Sequence, residues 1–132
     1  MYKLEILHHP YNPTDLEEIF AINQANIPEV GNIDHIDRLK RLIDWSCHLI
    51  VVRDKEIAGF IILMRENQSY ESLNYEFFNS QGYPFLYVDR IAIKEEHRRK
   101  GLGHMIYSKT IEIAKELNLS LIHISEPTRP LY

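Results

Sequence analysis

The stretch "FLYVDRIAIKEEHRRKGLGH", residues 85–104, decides the fold because it carries a strand into a glycine-rich turn. Residues 85–93 are mostly apolar, β-branched or aromatic, and this composition predicts a strand. Apolar residues then recur at helical spacing over 103–117, and "LSLIHI" at 119–124 predicts a further strand. A strand, a crossover helix and a second strand form a unit in which the two strands are parallel.

Upstream of this unit, the chain begins with an alternating polar and apolar run over 2–7, which predicts a first strand. Thr14 and Glu17 have the spacing of a capping box, so the first helix is expected to begin there and to end near Pro28. Asp34 is the expected N-cap of a second helix with an apolar stripe.

The sequence pattern in the middle of the chain predicts a β-hairpin followed by an insertion. Residues 48–64 hold two nearly continuous apolar runs around "RDKE", which indicates two inner strands, and 65–82 is a polar and aromatic insertion with a short helix. The order β-α-α-β-β-insertion-β-α-β predicts an α/β fold, a mixed sheet with flanking helices. We expect one domain over 1–125.

Composition narrows the function classes. The chain has 132 residues, the size of one domain, and a formal net charge of −4, which argues against general binding to nucleic acid or anionic membranes. No apolar run is long enough to span a bilayer, and the single cysteine, Cys47, cannot form an internal disulfide. No His or Cys set has the spacing of a metal site. We therefore expect a cytoplasmic protein without a metal.

The glycine-rich turn has the chemistry of an anion site. A turn between a strand and a helix leaves several backbone N–H groups unpaired at the positive end of the helix dipole. Gly101 and Gly103 allow a phosphate to approach the backbone, and Arg98, Arg99 and Lys100 add positive charge. The alternative is a solvated, charged turn, but its position between strand and helix favours phosphate binding.

Spacing separates the known phosphate-binding motifs. A P-loop needs a lysine directly after its last glycine, whereas Lys100 comes before Gly101. A dinucleotide fingerprint needs a third glycine where Ile106 stands, and it lies near the first strand of its domain. Neither motif fits this sequence.

The spacing Arg98-x-x-Gly101-x-Gly103 resembles the acyl-CoA pyrophosphate loop of the GNAT superfamily of N-acetyltransferases. The preceding strand, the acidic turn after it and the upstream element order are similar to that family as well. The stretches "AINQANIPEVGNID" and "FLYVDRIAI" resemble a bacterial subgroup of its predicted acetyltransferases. The resemblance implies transfer of an acetyl group from acetyl-CoA, as co-substrate, to an amine of a small-molecule or peptide acceptor. The acceptor and the oligomeric state stay open, a homodimer included.

The resemblance also implies which residues bind the cofactor. In the family the acyl-CoA lies in a gap where the fourth strand splays from the fifth. Carried over by position, backbone groups of Ile91, Ala92 and Ile93 pair with the pantetheine arm. The pyrophosphate is then held by the backbone N–H groups of Arg98, Arg99, Lys100, Gly101, Leu102, Gly103 and His104.

Acetyl transfer needs a base for the amine proton. Asp89 is the first candidate because a carboxylate on the fourth strand can face the acceptor, with Tyr87 on the same face to orient substrate and Arg90 on the opposite face. The alternative is an ion pair between Asp89 and Arg90 that only stabilises the sheet.

The end of the sequence departs from the family pattern. Family members continue past the fifth strand with a further helix and strands, whereas this sequence ends in "SEPTRPLY", whose prolines exclude a helix. We expect a domain truncated after the fifth strand, with 126–132 as a non-native or disordered tail. A CoA-binding or regulatory module without turnover is the alternative function.

Overall fold

A five-stranded mixed sheet with helices on both faces forms the centre of the computed structural model, which describes residues 1–123. The predicted α/β fold class is confirmed, while the tail predicted over 126–132 lies outside the described residues. The strands are β1 (Lys3–Leu7), β2 (His48–Arg53), β3 (Ile57–Arg65), β4 (Phe85–Ile93) and β5 (Ser120–Ile122). The helices are α1 (Pro13–Gln24), α2 (Ile36–Trp45), α3 (Leu73–Asn79) and α4 (Leu102–Leu117), with a 3₁₀ turn at Glu95–His97.

The strands lie in the sheet in chain order, β1-β2-β3-β4-β5. The first four are antiparallel to their neighbours, and β5 is parallel to β4. The parallel pair arises because α4 crosses over between these strands, as the sequence predicts. Its register runs from Phe85 opposite Ser120 to Tyr87 opposite Ile122.

Two apolar cores form, one on each face of the sheet. Helices α1, α2 and α3 contribute to the core on one face, and α4 contributes to the core on the other. We call these the α1 face and the α4 face. Strands β2 and β3 lie between both cores, which is why their sequences are nearly continuous apolar runs. None of the helices within residues 1–123 is long and apolar enough to cross a membrane.

The start of α1 differs from the prediction. Its N-cap is Asn12, whose side chain accepts a hydrogen bond of 2.8 Å from the N–H of Thr14, so Thr14 and Glu17 do not form the capping box. Pro13 occupies the first turn, where its missing N–H costs nothing. The helix ends at Gln24, earlier than expected.

The start of α2 also differs, by one residue. His35 is its N-cap, and its Nδ1 accepts from the N–H of Asp37 at 3.1 Å. Asp34, the predicted cap, has a left-handed backbone with φ of 66°. The left-handed residue Asp34 lies directly before the helix, and the next side chain, that of His35, is the cap.

A β-bulge in β4 corrects the prediction for Arg90. In the register with β3, Arg90 lies opposite Ile62 and Val88 opposite Leu63, so Asp89 is the extra residue between them. A bulge breaks the alternation of side chains along a strand. Asp89 and Arg90 therefore both face α1, and the prediction that Arg90 lies on the opposite face is wrong.

Candidate functional site

The glycine loop, residues 98–104, connects the 3₁₀ turn after β4 to α4. Arg99 and Gly101 both have left-handed backbones, with φ of 64° and 76°. Left-handed residues alternating with ordinary ones turn successive N–H groups toward one side, which forms a concave anion-binding nest. Gly101 adopts this conformation without strain, because it lacks a Cβ atom.

Most backbone N–H groups of the glycine loop have no acceptor. Among residues 1–123, nothing accepts a hydrogen bond from the N–H groups of residues 99–104, and the first bond of α4 runs from Met105 N to Gly101 O at 3.0 Å. The N–H of Arg98 is different, because it donates to Glu95 O at 3.2 Å. The predicted set of N–H ligands therefore loses Arg98 and begins at Arg99.

Gly103 borders open space. A Cβ atom built at Gly103 meets no atom within 4 Å, and its φ lies outside the left-handed region. Packing within the described residues therefore does not require glycine at this position, whereas the left-handed φ of Gly101 favours glycine. The open space at Gly103 leaves room for a ligand to approach the backbone closely.

The cations of the glycine loop have no carboxylate partners among residues 1–123. Arg99 and Lys100 are exposed and form neither an ion pair nor a side-chain hydrogen bond with any described residue. Arg98 donates from Nη2 to Oδ1 of Asn26 at 2.6 Å. His104 is exposed and lies 3.5 Å from the hydroxyl of Ser108. The loop thus combines unpaired N–H groups with uncompensated positive charge.

The edge of β4 next to this loop is unpaired within residues 1–123. The register with β5 ends at Tyr87, so Ile91, Ala92 and Ile93 have no described strand beside them on that edge. Ala92 contributes to the core on the α1 face, while Ile91 and Ile93 pack on the α4 face. The carbonyl of Ile93 accepts a hydrogen bond of 3.3 Å from Nδ2 of Asn26. The residues predicted to meet a pantetheine arm are thus brought together beside the glycine loop.

Asp89 lies in a buried polar network on the α1 face. Its Oδ2 accepts from Nε of Arg90 at 2.7 Å, its Oδ1 accepts from the hydroxyl of Tyr70, and its side chain is 3% exposed. Nη1 of Arg90 donates to Oδ1 of Asn23 and to the carbonyl of Gly31, each at 3.0 Å. The network ties the bulge of β4 to α1 and to the segment after it.

The pKa values of Tyr70 and Arg90 are both raised in this network. Burial, and then the negative charge of Asp89, raises the pKa of the Tyr70 hydroxyl, so Tyr70 stays a donor. Burial opposes the charge of Arg90, but the Asp89 carboxylate outweighs it and raises the pKa of the guanidinium. Both oxygens of Asp89 accept hydrogen bonds from groups that remain protonated at neutral pH.

Tyr87 lies on the same face as Asp89, as predicted. It is 4% exposed and packs in an aromatic cluster, with ring centroids 5.4 Å from Tyr75 and 6.4 Å from Phe85. Tyr75 also lies 5.5 Å from Tyr70. Tyr70 and Tyr75 of the insertion therefore join the core of the α1 face, whereas Phe77 is exposed.

Sequence reasoning missed the contacts that Tyr70, Asn23 and Asn26 make with Asp89, Arg90 and Arg98. The asparagines carried a signal, since both are buried polar residues in the last turn of α1 or just after it. A polar residue on the apolar side of a helix needs a partner, and here the partners are Arg90 and Arg98. Nothing in the sequence indicates which partner each one takes.

Solved structures of known proteins share this fold. A ribosomal-protein-alanine N-acetyltransferase from Brucella melitensis biovar Abortus superposes with a TM-score of 0.67 at 16% identity, covering 96% of this chain and 82% of that one. An aminoglycoside acetyltransferase from an uncultured soil metagenomic sample gives 0.65 at 18% identity, covering 96% and 79%. A chain of the NatC complex bound to Gag peptide and CoA gives 0.69 at 11% identity, covering 92% and 72%.

At these sequence identities, the similarity to solved structures shows a shared fold and nothing more. Among curated protein sequences no relative was found. The family model described as the acetyltransferase (GNAT) family matches residues 15–132, which include β2 to β5, the glycine loop and α4. The chain therefore belongs to the acetyltransferase (GNAT) family.

Proposed function

We propose that this protein transfers an acetyl group from acetyl-CoA to an amine on a small molecule or peptide. The observation that carries the proposal is the glycine loop, where the N–H groups of residues 99–104 have no acceptor within residues 1–123. Arg99 and Lys100 add positive charge at the same place. Such a group of donors at a helix N-terminus matches a pyrophosphate.

The unpaired edge of β4 supports a second contact with the cofactor. A pantetheine arm carries amide groups, which can hydrogen bond to the backbone of Ile91 and Ile93 as another strand would, while the backbone groups of Ala92 between them are directed toward β3. Because the Ile93 carbonyl already accepts from Asn26, we expect its remaining lone pair to be available. Pyrophosphate and arm together would lie along the glycine loop and the second half of β4.

The reaction itself requires proton transfer. The neutral amine attacks the thioester carbonyl, a C–N bond forms, the C–S bond breaks, and the thiolate takes up a proton as it leaves. Asp89 is our proposed base and Tyr87 our proposed orienting residue. Tyr70 and Arg90 each occupy one lone pair on an oxygen of Asp89, so the amine proton would be taken up on a remaining lone pair of this almost fully buried carboxylate.

The burial of Asp89 in this network favours one alternative, a CoA-binding module without turnover. If the Asp89 and Arg90 pair is purely structural, the glycine loop still binds CoA. Binding of CoA and release of free thiol from acetyl-CoA are therefore separate measurements, the second with a panel of aminoglycoside and peptide amines. Thiol release with any of these amines selects the enzyme, and binding without release across the panel selects the module.

The first test is calorimetric titration of CoA into the protein and into Gly103→Phe. Space in front of Gly103 is open, so we expect the variant to fold and to lose about 100-fold or more in CoA affinity, because the ring fills the phosphate position. Glu116→Phe is the matched control: position 116 is exposed, lies on the same helix and is remote from the loop. Equal CoA affinity in all three proteins would reject the pyrophosphate site.

The variant Asp89→Asn tests the proposed base in the same assays. We expect CoA affinity within about twofold of the parent protein, since Asp89 lies in the network on the α1 face and not in the glycine loop. Thiol release, where the parent shows it, should fall by about 100-fold or more. A larger effect of Asp89→Asn than of Gly103→Phe on CoA affinity would reject these role assignments.

A further inference from the structure

Asn26 joins three segments of the protein through one side chain. Its Nδ2 donates to the carbonyl of Ile22 at 2.7 Å and to the carbonyl of Ile93 at 3.3 Å. Its Oδ1 accepts from Nη2 of Arg98 at 2.6 Å. Asn26 is 8% exposed, and it thus connects α1, the end of β4 and the first residue of the glycine loop from a buried position.

The contact with Asn26 indicates that Arg98 has a different role from the other cations of the glycine loop. Its N–H is bonded to the carbonyl of Glu95, and its guanidinium is held by Asn26, so both ends of Arg98 have protein partners. Arg99 and Lys100 have no such partners among residues 1–123. Arg98 is therefore placed to fix the loop, while the next two cations are placed to meet a ligand.

We propose that Asn26 is a positioning residue for cofactor binding: through Arg98 it holds the glycine loop in the conformation that presents its N–H groups. The proposal rests on the function proposed above. The amide acts by geometry, since a loop already fixed in its ligand-binding conformation loses less conformational entropy when the ligand binds. Removal of the amide releases Arg98 from α1 and β4 together.

Asn23 provides a matched control within the same helix. It is buried, and its Oδ1 accepts a hydrogen bond from a guanidinium at 3.0 Å. The Oδ1 of Asn26 also accepts from a guanidinium, at 2.6 Å. The partner of Asn23 is Arg90, which lies in β4 and outside the glycine loop. Asn23 and Asn26 therefore share chemistry and burial and differ in the segment that each one holds.

The test compares Asn26→Ala with Asn23→Ala by urea unfolding and by calorimetric titration of CoA. We expect both variants to lose stability, because each leaves a guanidinium short of an acceptor. Only Asn26→Ala should weaken CoA binding, by about tenfold, while Asn23→Ala stays within about twofold of the parent protein. Equal losses of CoA affinity in the two variants would reject a specific positioning role.

A second variant decides the case where Asn26→Ala does not fold. Arg98→Met changes an exposed residue, and we expect it to weaken CoA binding by the same factor, about tenfold, at low and at high ionic strength. A direct charge contact with phosphate would instead give a loss that shrinks as salt rises, because exposed charges are screened. A loss that disappears at high salt overturns the proposal.

Titration of the parent protein separates this inference from the function on which it rests. Absence of CoA binding by the parent protein rejects the proposed function, and the role of Asn26 with it. Binding by the parent protein and equal binding by Asn26→Ala rejects only the role of Asn26. Where both asparagine variants fold, the double variant Asn26→Ala with Arg98→Met should bind CoA no more weakly than Arg98→Met alone. Losses of CoA affinity that add in the double variant overturn the proposal.

Discussion

The two halves of β4 are held in place by different interactions. Phe85 to Val88 have buried side chains and apolar contacts, and three of these four residues also pair with β5. From Asp89 onward the strand contains the bulge and has no described neighbour on its β5 edge. Side-chain hydrogen bonds from Arg90 and to the Ile93 carbonyl join this second half to α1 and the segment after it.

The comparison shows why the candidate site lies where it does. A strand that is paired on both edges and packed on both faces has no backbone groups left for a ligand. The second half of β4 keeps an unpaired edge within residues 1–123, and directional side-chain contacts maintain its position. Apolar burial tolerates small shifts, whereas a buried polar network requires each partner to be present.

The largest expected effect is loss of the guanidinium from the second half of β4. Arg90→Met leaves Asp89 as a buried carboxylate without its ion pair, and we expect the free energy of unfolding to fall by about 4 kcal/mol. Urea unfolding followed by circular dichroism measures the change.

The matched control removes both charges. Asp89→Leu with Arg90→Met replaces the buried pair by apolar side chains and should recover most of the lost stability, because the desolvation cost disappears with the charges. A loss of less than about 1 kcal/mol in Arg90→Met would mean that the pair behaves as an exposed one. The network would then not explain how the second half is held.

A somewhat smaller loss is expected in the first half, without an effect on the ligand. Leu86 is fully buried on the α4 face, so Leu86→Ala should lower the free energy of unfolding by about 3 kcal/mol. Because no directional contact to the glycine loop is removed, we expect the CoA dissociation constant to stay within about twofold at a temperature where the variant is folded. A parallel fall in CoA affinity would show that the two halves are not independent.

The first half of β4 and the crossover were predictable from the sequence. The apolar and β-branched run at 85–93 gives the observed limits of the strand, and the helix pattern after it gives the parallel pairing with β5. The position of the glycine loop was predictable for the same reason, since Gly101 and Gly103 lie at a strand-to-helix turn. Local patterns carry this information.

The contacts that organise the second half were not predictable. The bulge at Asp89 places Arg90 on the face of the sheet opposite to the one expected. One extra residue in the pairing of two strands does not change the composition of either strand, so the sequence does not indicate it. The bonds from Asn23 to Arg90 and from Asn26 to Arg98 join residues separated by 67 and 72 positions. Only the packing of α1 against β4 brings these residues together, and no pattern within either segment specifies it.

The smallest expected effect comes from Tyr70, where the aromatic core meets the polar network. Tyr70→Phe keeps the ring between Trp45 and Tyr75, each with a centroid 5.5 Å away, and removes the hydroxyl that donates to Asp89. A hydrogen bond to a charged group contributes about 2 kcal/mol, so we expect a loss of that size in urea unfolding. Tyr83→Phe, at an exposed position, should change stability by less than about 0.5 kcal/mol.

The dependence of the free energy of unfolding on alkaline pH provides a second test of the Tyr70 hydroxyl. Burial and then the charge of Asp89 raise the pKa of Tyr70, so the folded state keeps this proton above the pH at which the unfolded chain releases it, about pH 10. The unfolded state then binds fewer protons, and the free energy of unfolding falls as the pH rises above that value. In Tyr70→Phe this part of the fall should be absent. A stability profile identical to that of the parent protein would mean that Asp89 is held by Arg90 alone, and that the aromatic core packs beside the second half of β4 without stabilising it.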